Sequence, residues 1–317
     1  MFTHILVPLD GSMLAERALP VAARLVRASG GRITLLQVLD TTDELKSEEP
    51  PRLLDCTEAT HYLTQLAASP ILRNIQVEQL TTVGDAASTI LSTALSSQAD
   101  VIVISRHCKT NPRQWRLGNV AEQIARYSSV PIFLLRENAS SPIEAPCDLT
   151  QPLRMLVPLD GTAHAKVALK PAISLITALA HPAPGALHLA MVLKPLATYQ
   201  RKEHNTAMQQ AKQYLCHVQA SIQDQLAVPL QNKRHTFPTI TWSITFATDV
   251  AVTILEIAEI GASIGGTGIP GGCDAIAMST HGLHGLQLWT IGSVTDCVLH
   301  TTKLPILVMH PKKHPFP

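Results

Sequence analysis

The sequence predicts an α/β protein of two repeated domains, each a doubly wound, five-stranded parallel sheet with helices on both faces. Three observations predict it. The chain is written twice: ILVPLDGSMLAERALPVAARLV at 5–26 returns as MLVPLDGTAHAKVALKPAISLI at 155–176, and the shared core LVPLDG[ST]xxAxxAL puts Asp10 and Asp160 in register. Within each copy, short apolar runs alternate with helical patterns. Apolar residues make up 46% of the chain but aromatics only 4%, so the cores must be aliphatic, as suits parallel strands buried on both faces.

The elements follow in order. HILVPL (4–9) is a short apolar run, a buried first strand, and Leu14, Ala18, Ala22 and Leu25 then recur at helical spacing. RITLLQVL (32–39), VEQLTTV (77–83), DVIVIS (100–105) and VPIFLL (130–135) supply strands two to five, with helical patterns at 86–97 and 119–128. The second copy places its strands near 154–159, 186–193, 239–246, 274–279 and 304–309. Both copies also close alike, GNVAEQIARYSSVPIFLL from Gly118 matching GSVTDCVLHTTKLPILVM from Gly292. Aligning Val38 with Val192, Gly84 with Thr248 and Asp100 with Asp274 distributes the extra residues of the second copy. Between the copies, ENASSPIEAPCDLTQP reads as a linker. The resulting division is a first domain over 1–137, a linker over 138–152 and a second domain over 153–311.

Charge and cysteine usage narrow the function classes. Lys+Arg number 25 and Asp+Glu 24, a net charge of +1, which offers no global attraction for nucleic acid or an acidic membrane. MFTHILVPLD lacks the basic start and long apolar stretch of a secretion signal, and no run approaches a membrane span. The six cysteines form no CxxC pair and no metal-like spacing, consistent with a reducing cytoplasm. A soluble cytoplasmic protein is expected, without nucleic-acid or membrane partners.

In an open parallel sheet, ligands bind beyond the carboxyl ends of the strands, at the switch in strand order. Asp10 and Asp160 end their first strands there, each followed by Gly and a hydroxyl residue. Such a carboxylate can accept a ligand hydroxyl, or it can organise the turn and cap the next helix. After strand four the second copy reads MSTHGLHGLQLWTIGSVTD (278–296), in which Gly282 and Gly292 flank nine residues and Gly292-Ser293 opens the last helix. Backbone amides at a glycine and a helix start suit a phosphate, and a turn with a capped helix would look the same locally. GASIGGTGIPGG (261–272) precedes strand four, so it falls at the opposite sheet edge and reads as a flexible insertion. His281 and His284 lack the companions of a metal site, leaving His281 as a neighbour of a phosphate. Trp115 and Trp289 occupy equivalent loop positions and read as packing, and the HPKKHPFP tail reads as solvated.

Together, LVPLDG[ST]xxAxxAL, the Gly-x2-Gly-x9-Gly-[Ser/Thr] segment and the closing VPIFLL-type strand resemble the universal stress protein family, over nearly all of both copies. The resemblance implies a Rossmann-like fold of the adenine nucleotide α-hydrolase-like type, with strand order 3-2-1-4-5. It also implies a site for ATP or a related adenine nucleotide, with Mg as an optional companion and no structural metal. In the second domain that site would use Asp160, Val192, Ser279, His281, Gly282, Gly292, Ser293 and Val294. Ser279 stands where the first motif glycine is expected, and Leu283 replaces a frequent basic residue. The first domain keeps Asp10, Val38, Gly84 and Gly118, offers Lys109, and has Asn119 for the hydroxyl residue; Ser105 and Cys108 replace motif glycines. A Cβ at Cys108 would obstruct a phosphate cradle, so the first site is the more eroded.

The expected function is a cytoplasmic stress-response protein that binds the nucleotide as a regulatory ligand, mainly through its second domain. The rival is a nucleotide-independent module for an unidentified protein partner. A slow ATPase is weaker, since no Walker lysine, general base or metal-carboxylate set is apparent. The apolar closing strands at 130–135 and 304–309 should pack the domains into an intramolecular pseudo-dimer, and a homodimer of tandem chains remains open.

Overall fold

A computed structural model describes residues 1–39, 53–105, 119–136, 142–143, 152–195, 201–227, 238–261, 271–280 and 291–311. The first copy contains β1 (His4–Leu9), α1 (Ala18–Ser29), β2 (Arg32–Leu39), α2 (Leu53–Ala67), β3 (Gln76–Val83), α3 (Ala86–Ser96), β4 (Val101–Ser105), α4 (Asn119–Tyr127) and β5 (Ile132–Leu135). The second contains β6 (Arg154–Pro158), α5 (Ala163–Lys166), α6 (Leu169–Ala180), β7 (Ala186–Leu193), α7 (Arg201–Ala227), β8 (Thr239–Phe246), α8 (Val250–Ile260), β9 (Ala275–Ser279), α9 (Ser293–Thr301) and β10 (Ile306–Met309). The predicted α/β fold with a mostly parallel sheet is the observed one.

Two compact units result, one of Met1–Glu144 with Lys303–Pro317 and one of Ala145–Thr302. In unit 1 the parallel strands run in the order β3-β2-β1-β4-β5, the predicted 3-2-1-4-5. β10, expected as the last strand of the second copy, belongs to unit 1 and pairs antiparallel with β5, setting Leu307 opposite Phe133. Ile143, inside the segment read as linker, is buried in unit 1, and its carbonyl accepts from Arg24 Nη1 at 3.3 Å. Unit 2 orders its strands β9-β6-β7-β8, all parallel.

The central strands are continuous apolar runs because helices cover both faces. Ile5, Leu6 and Val7 of β1, like Met155, Leu156 and Val157 of β6, have no solvent exposure. α1 buries Ala18, Ala22 and Leu25 of the stripe read from the sequence, together with Leu19, Val21, Ala23 and Val26, while Leu14 precedes the helix and is half-buried. Each buried Val, Leu, Ile or Met side chain among them contributes on the order of 1.5–3 kcal/mol when removed from water. Two acids staple the start of strand one to strand four: Asp100 Oδ2 accepts from the Thr3 and His4 N–H groups at 2.7 and 3.0 Å, and Asp274 Oδ2 accepts from the Arg154 N–H at 2.7 Å. Asp85 and Asp249 cap α3 and α8 by accepting from the Ser88 and Val252 N–H groups.

The two sheets each bury a histidine. His4 contacts the Thr34 hydroxyl at 2.8 Å, and His188 lies between the Thr241 and Ser243 hydroxyls, both at 2.8 Å. Burial first, then the charge of Arg154, pushes His188 down to about 4. Burial likewise pushes the Cys273 thiol up to about 12, so it sits as an inert core group. No helix among the described residues is long and apolar enough to cross a membrane.

Candidate functional site

The strand order reverses between β1 and β4 in unit 1 and between β6 and β9 in unit 2. Both strand-one turns therefore stand at the switch point, where such sheets open a crevice. In unit 2, Asp160 Oδ1 accepts from the Thr162 N–H at 2.9 Å and from its hydroxyl at 2.6 Å. The Thr162 hydroxyl oxygen then accepts from the Ala165 N–H at 3.1 Å, capping α5. Unit 1 repeats the turn: Asp10 Oδ1 accepts from the Ser12 N–H at 3.0 Å, and the Ser12 hydroxyl oxygen from the Ala15 N–H at 3.1 Å. Gly161 (φ +89°) and Gly11 (φ +81°) hold the left-handed backbone that this bend needs. The carboxylates thus organise the turn, whatever else they bind.

The side chain beneath that glycine differs between the copies. A Cβ on Gly161 would lie 3.6 Å from Met191 Cε, and one on Gly11 3.8 Å from Gln37 Nε2. Val192 and Val38 follow directly, both half-buried near the ends of their second strands and in register with Thr245 and Thr82. At strand three, Gly84 N–H donates to the Leu39 carbonyl and Ala247 N–H to the Leu193 carbonyl, both at 3.0 Å. The structural counterpart of Gly84 is therefore Ala247 rather than Thr248, and the second copy gains one residue before its capping Asp249. Beside that end, His204 of α7 stacks on Phe246 with ring centroids 3.8 Å apart.

At the end of strand four, Ser279 and its counterpart Ser105 are buried, and neither hydroxyl meets a hydrogen-bond partner among the described residues. Thr295 Oγ1 donates to the Ser279 carbonyl at 2.9 Å, and Gly292 N–H to the Thr280 carbonyl at 2.7 Å. The Gly292 amide is thus engaged by the chain's own Thr280 carbonyl. Its backbone (φ −60°, ψ 145°) suits any residue, but a Cβ there would sit 3.1 Å from the Thr280 oxygen. α9 starts immediately after with no side-chain cap, which leaves its opening turn at exposed Ser293 and half-buried Val294. Such a start carries N–H donors without intrahelical acceptors. Asn119 likewise opens α4. His281, Gly282, Lys109 and Gly118 lie outside the described residues, as do Cys108, Leu283 and both loop tryptophans.

Residues 1–136 match the family model described as the Universal stress protein family. This part of the chain is a universal stress protein domain. Over 148 residues the chain is 24% identical to the Universal stress protein YxiE of Bacillus subtilis (strain 168), spanning all of that protein and 43% of this chain. Two solved structures share the fold over both units. A functionally unknown protein from Pseudomonas aeruginosa PAO1 has a TM-score of 0.68 at 17% identity, covering 98% of this chain and 93% of its own. A universal stress protein from Archaeoglobus fulgidus DSM 4304 has a TM-score of 0.63 at 17% identity, covering 97% of this chain and 96% of its own.

The universal stress protein domain and unit 2 share one more feature, which the motif reading missed. α2 carries ATHYLTQLA (59–67) and α7 carries AKQYLCHVQ (211–219), so Ala-x-x-Tyr-Leu recurs between strands two and three. Leu63 and Leu215 are fully buried anchors, and their neighbours Tyr62 and Tyr214 stand near the strand-one turns. In the universal stress protein domain, Tyr62 Oη donates to Glu16 Oε1 at 3.1 Å, and burial with the charges of Glu16 and Asp10 raises the phenol's pKa. In unit 2, Lys166 takes the place of Glu16, its Nζ 4.8 Å from the centre of the Tyr214 ring. The Tyr214 hydroxyl is buried with no hydrogen-bond partner among the described residues, and burial, then the Asp160 charge, pushes it up to about 12. The repeat of this short pattern was the signal that could have found both tyrosines.

Proposed function

We infer that the protein is a cytoplasmic stress-response protein that binds ATP or a related adenine nucleotide, chiefly through unit 2, as a regulatory ligand. The observation that carries this reading is the convergence, at the strand-order switch of unit 2, of the Asp160 turn after β6 and the uncapped start of α9 beside β9. The nucleoside would lie between the Asp160 turn and Val192, with the Phe246 and His204 rings at the far end of that strand edge. The N–H groups at Ser293 and Val294 would receive phosphate, joined by the Ser293 hydroxyl. His281 and Gly282 belong to the same loop in this reading, and Ser279 adds a buried hydroxyl. No group of three or more His, Cys, Asp or Glu among the described residues could hold a metal, so Mg²⁺ would enter on the phosphates.

In unit 1 the same role would fall to Asp10, Val38, Gly84, Lys109, Gly118 and Asn119, and more weakly, for Asn119 offers no hydroxyl at the helix start. The universal stress protein family membership of residues 1–136 supports the stress-response part of the reading. Calorimetry of the full chain with ATP, repeated on Asp160→Ala and Asp10→Ala, tests it. Binding that is lost only with Asp160→Ala is the expected result; a wild-type chain that binds no adenine nucleotide would leave a partner-binding module in its place.

A further inference from the structure

The two strand-one turns are built alike but carry opposite charge six residues beyond the strand-one acid. Unit 1 places Glu16 there and unit 2 places Lys166. The difference propagates to the tyrosine behind it. Tyr62 spends its hydroxyl proton on Glu16, closing an acidic pair with no demand for a ligand. Tyr214 has no such acceptor, because a lysine has only donors. Its ring instead lies under the Lys166 ammonium. An ammonium has three N–H donors, and a ring face engages only part of them, so the cation can serve a ligand as well.

We propose that Lys166 and Tyr214 make unit 2 selective for the phosphorylated form of its adenine ligand, and that Glu16 makes unit 1 reject that form. Lys166 supplies the positive charge that the segment after strand four lacks where Leu283 stands. The Tyr214 hydroxyl offers a proton to a phosphate oxygen, satisfying a buried donor that otherwise goes unmatched. Asp160 and Lys166 lie six residues apart on the segment that follows β6, and the Tyr214 ring lies 4.8 Å from the Lys166 Nζ, which gathers acceptor, cation and phenol on one segment and its neighbour. In unit 1 the equivalent trio is Asp10, Glu16 and an already satisfied phenol, which repels a polyanion. The inference rests on the nucleotide reading of unit 2 and assigns its charge selectivity.

The test compares ATP with adenosine on the full chain by calorimetry. Lys166→Glu is expected to weaken ATP by about tenfold or more while leaving adenosine within twofold, since a reversed charge acts on the phosphates alone. Tyr214→Phe should weaken ATP severalfold, and raised salt should cost the wild type more ATP affinity than it costs Lys166→Glu. Lys166→Met, which keeps the aliphatic stem over the ring, serves if the charge reversal disturbs folding and should show the same ATP-only loss at smaller size. Equal losses of ATP and adenosine in the folded variants, or no loss of either, would overturn the proposal while leaving the nucleotide reading intact. A wild-type chain that binds neither ligand would overturn both.

Discussion

The Gly292 N–H donates to the Thr280 carbonyl at 2.7 Å, and this bond fixes where α9 begins relative to the end of β9. The glycine is needed for its missing side chain rather than for its dihedral angles, because a Cβ would meet the same carbonyl oxygen at 3.1 Å. Gly292→Ala should therefore be tolerated at a cost below about 1 kcal/mol, and Gly292→Val should cost about 1–3 kcal/mol through overpacking. Denaturant melts check the stability. ATP calorimetry should show a larger loss for the valine variant, and unchanged affinity in a folded valine variant would put the phosphate elsewhere.

Asp160 and Asp10 hold equivalent turns, so alanine at either position should destabilise its own unit by about 1 kcal/mol, the usual worth of a lost capping interaction. The two variants should part in binding: only Asp160→Ala should lower nucleotide affinity. Thermal unfolding with and without ATP checks both effects in the same sample, because a bound ligand raises the midpoint.

His188 makes stability depend on acid. Its folded pKa of about 4 lies below the ordinary 6.5, so the unfolded chain binds the extra proton between those values. Stability is complete above about pH 6.5 and is lost as pH falls towards 4. From pH 7 to pH 5 the expected loss through this group is about 2 kcal/mol. Urea unfolding at both pH values, in the wild type and in His188→Gln, should show a steeper decline for the wild type. Equal declines would mean that the buried imidazole contributes no such linkage.

Phe133 is fully buried in β5 opposite Leu307 of β10, and its truncation to alanine should cost unit 1 about 3–5 kcal/mol. Removal of residues 303–317 would leave β5 as an apolar edge with unpaired backbone groups. The shortened chain should associate or precipitate in a concentration-dependent way, which light scattering would detect. A shortened chain that stays dispersed at the wild-type size would mean that β10 is dispensable as an edge cover.

Much of this protein was written in local pattern. The duplicated LVPLDG[ST]xxAxxAL segment, the apolar runs and the capping acids were legible because strand burial, helix period and caps act over a few residues, and the strands lie within one or two positions of their expected places. The same proximity made the Asp160 turn and the start of α9 visible as candidates. Three features waited for the tertiary structure. The apolar closing strands were expected to meet, but only chain folding shows that β10 pairs antiparallel with β5 in a fixed register as part of unit 1, since direction and register depend on backbone geometry and not on composition. Only register shows that Ala247 answers to Gly84, because the extra residue precedes a cap and leaves the hydrophobic pattern unbroken. The tyrosines were hidden for a further reason: a helix between strands two and three carries Tyr62 and Tyr214 to the strand-one turn, and whether each phenol finds an acceptor depends on residue 16 or 166, far away in sequence. Local interactions select the elements, but the fields and vacant hydrogen bonds of a crevice arise only where distant segments are brought within a few ångströms of each other.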